Sequence, residues 1–148
     1  MRLKSALRRG VAAAVIAGIV VSSGIPAHAA PWNIADGDIT VKAGDAEGKN
    51  KVTQGETTKE DTDTVITGES EEHTVTIDTS KGNVDVTFDD LKIDVSGKGE
   101  AAVRVEGGHD ATIELDGDNE LKSGGNNAGL EKNDERSENG KTISGKLT

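Results

Sequence analysis

The sequence has no cysteine and no tyrosine, a single phenylalanine (Phe88) and a single tryptophan (Trp32). Without cysteine no disulfide braces the fold, so stability must come from packing, from a bound metal, or from both. Without large aromatics the chain lacks the anchors that usually dominate a small core. It also lacks the exposed rings on which sugars commonly stack. Bases are scarce as well: 17 Lys and Arg stand against 27 Asp and Glu, for a net charge of −10. Four of the bases fall in residues 1–29, which contain no acid, so the remaining 119 residues carry 13 bases against 27 acids, about −14. Lys49, Lys51 and Lys59 are scattered among acids and form no basic patch. That balance argues against nucleic acid as a partner.

Long apolar runs are absent beyond residue 21. Arg2, Lys4, Arg8 and Arg9 precede the apolar stretch Val11 to Val21, and Ala27-His28-Ala29 supplies a small-x-small cleavage site. This pattern predicts a signal peptide over 1–29, with the exported chain beginning at Ala30. The bulky apolar residues that should follow a twin-arginine pair are missing after Arg8-Arg9, which favours ordinary secretion. Nothing later approaches the ~20 apolar residues of a membrane-crossing helix. The expectation is a secreted or cell-surface protein without a membrane span in its mature part.

What the chain does have is alternation. Thr74-Val75-Thr76-Ile77, Val84-Asp85-Val86-Thr87-Phe88, Leu91-Lys92-Ile93-Asp94-Val95, Ala101 to Val105 and Ala111 to Leu115 all have period two, the mark of half-buried strands. Clusters such as Ser96-Gly97-Lys98-Gly99 and Gly107-Gly108-His109-Asp110 separate them with turn chemistry. Two stretches also echo each other 27 residues apart. Val86-Thr87-Phe88-Asp89 recurs as Ile113-Glu114-Leu115-Asp116, Ser96-Gly97 as Ser123-Gly124, and Ala101-Ala102-Val103 as Ala128-Gly129-Leu130.

A fixed offset is foreign to an immunoglobulin-like sandwich and natural to a solenoid whose coils stack like upon like. The prediction is an all-β parallel solenoid of about three coils. Residues 30–70 are expected to form an N-terminal cap and irregular first coil, and residues 71–148 the coils proper. Turn insertions are expected to put Ile93 beside Leu121 at an offset of 28, and Ile113 beside Ile143 at 30. Ala46 to Asp63 reads as long surface loops or a capping region. A third copy only begins at Thr142-Ile143-Ser144-Gly145, so the stack is expected to be cut short at its C-terminal end.

Several stretches resemble a known group, the secreted right-handed parallel β-helix, carbohydrate-binding-domain-containing proteins of gut and clostridial Gram-positive bacteria. They are Trp32-Asn33-Ile34-Ala35-Asp36-Gly37-Asp38-Ile39-Thr40-Val41, Val65-Ile66-Thr67-Gly68, Ile113 to Gly124 and Asn126-Asn127-Ala128-Gly129-Leu130-Glu131-Lys132. The resemblance implies a right-handed, pectate-lyase-like parallel β-helix that binds acidic or plant cell-wall polysaccharide, in some members with calcium, and mostly without demonstrated catalysis. The charged segment Asp134 to Asn139 and the early end depart from the group's pattern.

The chemistry legible in the residues is sparse. Asp116-Gly117-Asp118-Asn119-Glu120 gathers three carboxylates and one amide oxygen around a glycine turn, and Asp89-Asp90 lies one coil earlier. Hard cations take six to eight oxygens, so Asp89, Asp90, Asp116, Asp118, Asn119 and Glu120 form the candidate calcium set, with no cofactor required otherwise. An anionic uronate polymer would be repelled by this surface unless Ca2+ bridged carboxylate to carboxylate. Trp32 is expected to bury its ring at the first coil rather than serve as a sugar platform. Lys92 and Arg104 are the outward bases a polysaccharide lyase would need, but no converging constellation accompanies them. His73 and His109 sit in turns without a spaced metal partner. The functional expectation is a carbohydrate-binding module. The rival readings are an adhesin or structural spacer of the cell surface and, third, a lyase.

Overall fold

A computed structural model describes residues 30–148. The signal peptide expected over 1–29 lies outside the described residues. Thirteen strands run β1 (Trp32–Asn33), β2 (Ile39–Ala43), β3 (Asn50–Gln54), β4 (Thr57–Asp61), β5 (Val65–Ser70), β6 (Val75–Asp78), β7 (Val84–Val95), β8 (Val103–Glu106), β9 (Ala111–Asp116), β10 (Glu120–Ser123), β11 (Leu130–Asn133), β12 (Glu135–Arg136) and β13 (Thr142–Ile143). A single 3-10 turn, Ile34–Asp36, is the only helical element among the described residues. The protein is all-β, and no helix among the described residues is long and apolar enough to cross a membrane.

Two sheets carry the structure. One has the order β1-β5-β7-β10, with β9 also on β7, and all its pairs are parallel. The other has the order β11-β8-β6-β2-β3-β4, parallel from β11 to β2 and antiparallel at β3 and β4. The sequence echo is a pairing distance. Val84 lies beside Ala111 and Phe88 beside Leu115, both 27 residues on. Val103 lies beside Leu130 at the same offset, and Leu121 beside Ile93 at 28.

The inward residues stack in rows because alternate side chains share a face and each strand sets its own against the next. Trp32, Ile66, Phe88 and Leu115 form one row. Ile39, Val75, Val103 and Leu130 form a second. Val41, Ile77 and Val105 begin a third, beside which Val52 packs from β3, and Ala101 and Ala102 are buried at a corner. Each fully buried Val, Leu, Ile or Phe stabilises the fold by about 1.5–3 kcal/mol before the entropy of ordering it is subtracted. A core of aliphatic rows thus replaces the absent aromatics.

Three local expectations give way. Val84–Phe88 and Leu91–Val95 are one 12-residue strand, bent at Asp90, whose φ of 51° is the only positive value of a non-glycine residue among those described. Ala46 to Asp63 is not long surface loops but mainly the antiparallel hairpin β3–β4, which closes the edge of β2. Ile143 does not reach Ile113. It pairs with Glu135 in the short antiparallel hairpin β12–β13, and Leu147 bridges to Ala111 instead. The hairpin lengthens the connection, so the strand that returns to β9 begins later than simple repetition would place it.

Candidate functional site

A cleft of about 630 Å3 lies against the outer face of the first sheet. Its floor comes from side chains that alternate outward on paired strands: Glu69, Lys92 and Glu120 stand side by side on β5, β7 and β10, and Asp94 stands beside Lys122. Its wall is the turn Ser70-Glu71-Glu72-His73. The Ser70 hydroxyl oxygen accepts the N–H groups of Glu72 and His73 at 3.1 and 2.9 Å, which fixes the turn as an ST motif. Lys98 Nζ ties down the far side by donating to the Glu72 carbonyl at 2.8 Å. His73 Nδ1 lies 3.5 Å from Asp38 Oδ1.

The charges in this cleft are set by their neighbours. The Ser96 hydroxyl and backbone N–H, followed by Lys122, hold the Asp94 carboxyl below the ordinary carboxylate value. Glu120 and then Asp94 push the Lys122 ammonium up, Lys122 Nζ being 3.0 Å from Glu120 and 3.6 Å from Asp94. Both groups therefore stay ionised well to either side of neutral pH. The cleft offers a ligand carboxylate acceptors and ammonium donors in alternation.

The structure brings the residues expected to hold calcium together. Asp89 and Asp116 stand opposite each other on β7 and β9. Asp90 Oδ1 accepts the Asp118 N–H at 2.8 Å, and a Cβ at Gly117 would run into the same carboxylate. Asn119 Oδ1 accepts the Leu91 N–H at 2.8 Å while its Nδ2 donates to the Asp116 carbonyl at 2.9 Å. Glu120 turns to Lys122. Among the described residues no three carboxylates or imidazoles converge on a position that could hold a metal ion. As folded, the set is linked by hydrogen bonds that staple β7 to the turn between β9 and β10.

That staple has a measurable worth. Asn119→Ala should leave the Leu91 N–H without its acceptor and cost about 1–3 kcal/mol, read as a lower urea midpoint at unchanged slope. Asn119→Asp, which keeps an acceptor, should cost less. Equal losses for the two variants would mean that the Leu91 bond is not the stabilising contact.

The lyase pair does not assemble. Lys92 stands on the first sheet and Arg104 on the second, where Glu131 approaches it at 3.4 Å. His109, exposed in its turn, has its Nδ1 2.7 Å from the Thr79 carbonyl, and its backbone N–H donates to the same Thr79. Trp32 is partly buried at the head of its row, with its indole N–H donating to Asp61 at 2.9 Å. A smaller cleft of about 210 Å3 opens beside it, lined by Asp36, Gln54 and Lys59 among others.

Sequence reasoning passed over Glu69, Glu71, Glu72 and Asp94, the acids of the large cleft. Glu69 stands on β5, Asp94 on β7, and Glu71 and Glu72 in the turn that follows β5; the β5–β7 register shifts between Thr67 and Glu69, and no constant offset predicts that pairing. No family model matches this chain, and no curated protein or solved structure matches it either.

Proposed function

We propose that the chain is a short right-handed parallel β-helix, exported to the outside or the surface of a Gram-positive cell, and that it binds polysaccharide without catalysis. The observation that carries this reading is the 630 Å3 cleft on the sheet face, floored by the row Glu69, Lys92 and Glu120. A polar floor of acceptors and donors repeating from strand to strand suits an extended, repeating hydroxyl-rich polymer. Parallel pairings at 27 and 28 residues support the solenoid reading, and the resemblance to carbohydrate-binding β-helix proteins supports the ligand class.

Isothermal titration against polygalacturonate and against a neutral polysaccharide, each with and without Ca2+, tests it. Heat is expected for at least one polymer, and Lys92→Ala should weaken that binding about tenfold, the worth of one charge-assisted hydrogen bond. Enhancement by Ca2+ would give the carboxylates of Asp89, Asp116 and Asp118 a bridging role. Silence under every condition sinks the glycan reading.

One observation favours the rival reading of a structural spacer. Lys42 with Asp78, Arg104 with Glu131, and Lys122 with Asp94 and Glu120 neutralise one another on the outer faces, which leaves fewer groups free for a ligand. Silence in the titrations is the result that reading expects. The third reading, a lyase, predicts an ultraviolet-absorbing unsaturated product from polygalacturonate. The separation of Lys92 from Arg104 leads us to expect none.

A further inference from the structure

The smaller cleft, of about 210 Å3, lies at the β1 and β4 end of the sheets, opposite β10 and β11. Residues far apart in the chain build it. Two hydrogen bonds hold the hairpin β3–β4 against β1: the Trp32 indole N–H donates to Asp61, the last residue of β4, and Gln54, the last of β3, donates to the Asn33 carbonyl. Pockets for drug-sized ligands run to about 300–1,000 Å3, so this one suits a single ring rather than a stretch of polymer.

Its lining joins an apolar wall to unused acceptors. Pro31 and the partly buried Trp32 supply the wall. Asp61 is 5% exposed, yet its carboxylate is lightly used: Oδ2 accepts the indole N–H at 2.9 Å, and Oδ1 accepts the Asp63 N–H only at 3.4 Å. An ionised carboxylate has sites for about four donors. Gln54 is pinned, because its Nε2 spends both hydrogens on the carbonyls of Asn33 and Gly37, at 2.7 and 2.9 Å. Its Oε1 has no hydrogen-bond partner among the described residues. Two acceptors with spare capacity call for donors from a ligand. Asp36 and Glu60 join Asp61 in the lining against Lys59, so an anionic ligand is repelled. An alkylammonium ion would have to share the cleft with the Lys59 ammonium, whereas a neutral polyol meets no like charge.

We propose that this cleft is a second binding site, separate from the large cleft, that takes one neutral pyranose ring. The C–H groups of the ring lie against Trp32 and Pro31, and neighbouring hydroxyls donate to the Asp61 carboxylate and to Gln54 Oε1. A pyranose carries both kinds of group on one rigid frame, apolar C–H groups beside a rim of hydroxyl donors, which is the pairing this lining offers. The hydrogen bonds to Asp61 are charge-assisted and supply most of the discrimination against a ligand without hydroxyls. The proposal does not depend on what the large cleft binds.

The test uses Trp32 itself. It is the only tryptophan of a chain without tyrosine, so tryptophan emission reports on this cleft alone. The chain is titrated into the millimolar range with the methyl glycosides of glucose, galactose, mannose, xylose and N-acetylglucosamine, and with tetramethylammonium chloride. At least one glycoside should change the emission saturably, and saturation-transfer NMR should show its ring C–H protons in contact with the protein. Asp61→Asn, which keeps an acceptor for the indole, should weaken that response about tenfold. Lys92→Ala, in the large cleft, should leave it unchanged. Silence with every glycoside, a response to tetramethylammonium alone, or a response that Lys92→Ala abolishes and Asp61→Asn spares would each overturn the proposal. Urea unfolding shows whether Asp61→Asn is folded. Should it not be, Lys59→Ala, at an exposed position, replaces it: the glycoside affinity should stay within about twofold, and a rise of tenfold would mark a cationic ligand and overturn the proposal.

Discussion

Replacing Phe88 by alanine is expected to cost about 3–5 kcal/mol and to lower the melting temperature by about 10 °C or more. Phe88 has no exposed surface and lies between Ile66 and Leu115 in the row headed by Trp32. As the only phenylalanine of the chain, it fills space that its aliphatic neighbours cannot reach across to fill. The loss therefore combines a transfer cost with an unrelieved cavity, in a domain whose whole stability should be about 5–15 kcal/mol. Phe88→Leu keeps most of the volume and should cost under about 1.5 kcal/mol. Urea unfolding of the two variants checks this. A loss below about 1 kcal/mol for Phe88→Ala would mean that the interior is loose enough to collapse around the gap.

Gly107→Ala is expected to be nearly as damaging, by about 3 kcal/mol, although it only adds a methyl group. Gly107 has a φ of +106°, where a side chain costs roughly 1–2 kcal/mol. A Cβ there would also run into the backbone of Thr79 and Ser80, and overpacking of that kind costs roughly 1–3 kcal/mol. The neighbour cannot easily yield. Thr79 is fully buried, and both its N–H and its hydroxyl donate to the Glu106 carbonyl, at 2.7 and 3.0 Å. Gly97→Ala is the control, because a Cβ at Gly97 meets nothing within 4 Å. The unfolding midpoint of Gly97→Ala should stay within a few tenths of a kcal/mol of the parent's, and equal losses for the two would remove the close-approach argument.

Where loops between successive strands keep one length, strand pairing could be read from the sequence. The pairs Val86 with Ile113, Val103 with Leu130 and Ile93 with Leu121 stand where the echo puts them, because a strand displaced by one residue would turn its apolar set outward. Where connection lengths vary, it could not. Ile39 meets Val75 at an offset of 36 and Val65 meets Thr87 at 22. At Gly68, whose φ is +97°, the register slips so that Glu69 faces Lys92 at 23. The cleft depends on that slip, and so its acidic wall was invisible to a repeat search. The calcium set shows the converse. Its members are neighbours, as stacking suggested, but proximity of carboxylates does not say what they bind, and here backbone N–H groups accept the role of partner for Asp90 and Asn119.

By itself, then, the sequence determined the strands of the regular part, the polarity of their faces and the pairings among them, since alternation and a constant offset are local or strictly periodic properties. Only the tertiary structure decided how Ala46 to Asp63 closes an edge, that Ile143 turns aside into a hairpin, that Lys92 and Arg104 stand on different sheets, and which residues meet in the cleft. Those outcomes depend on where irregular connections place whole strands, through hydrogen bonds and contacts between residues far apart in the chain. No period in the sequence records them.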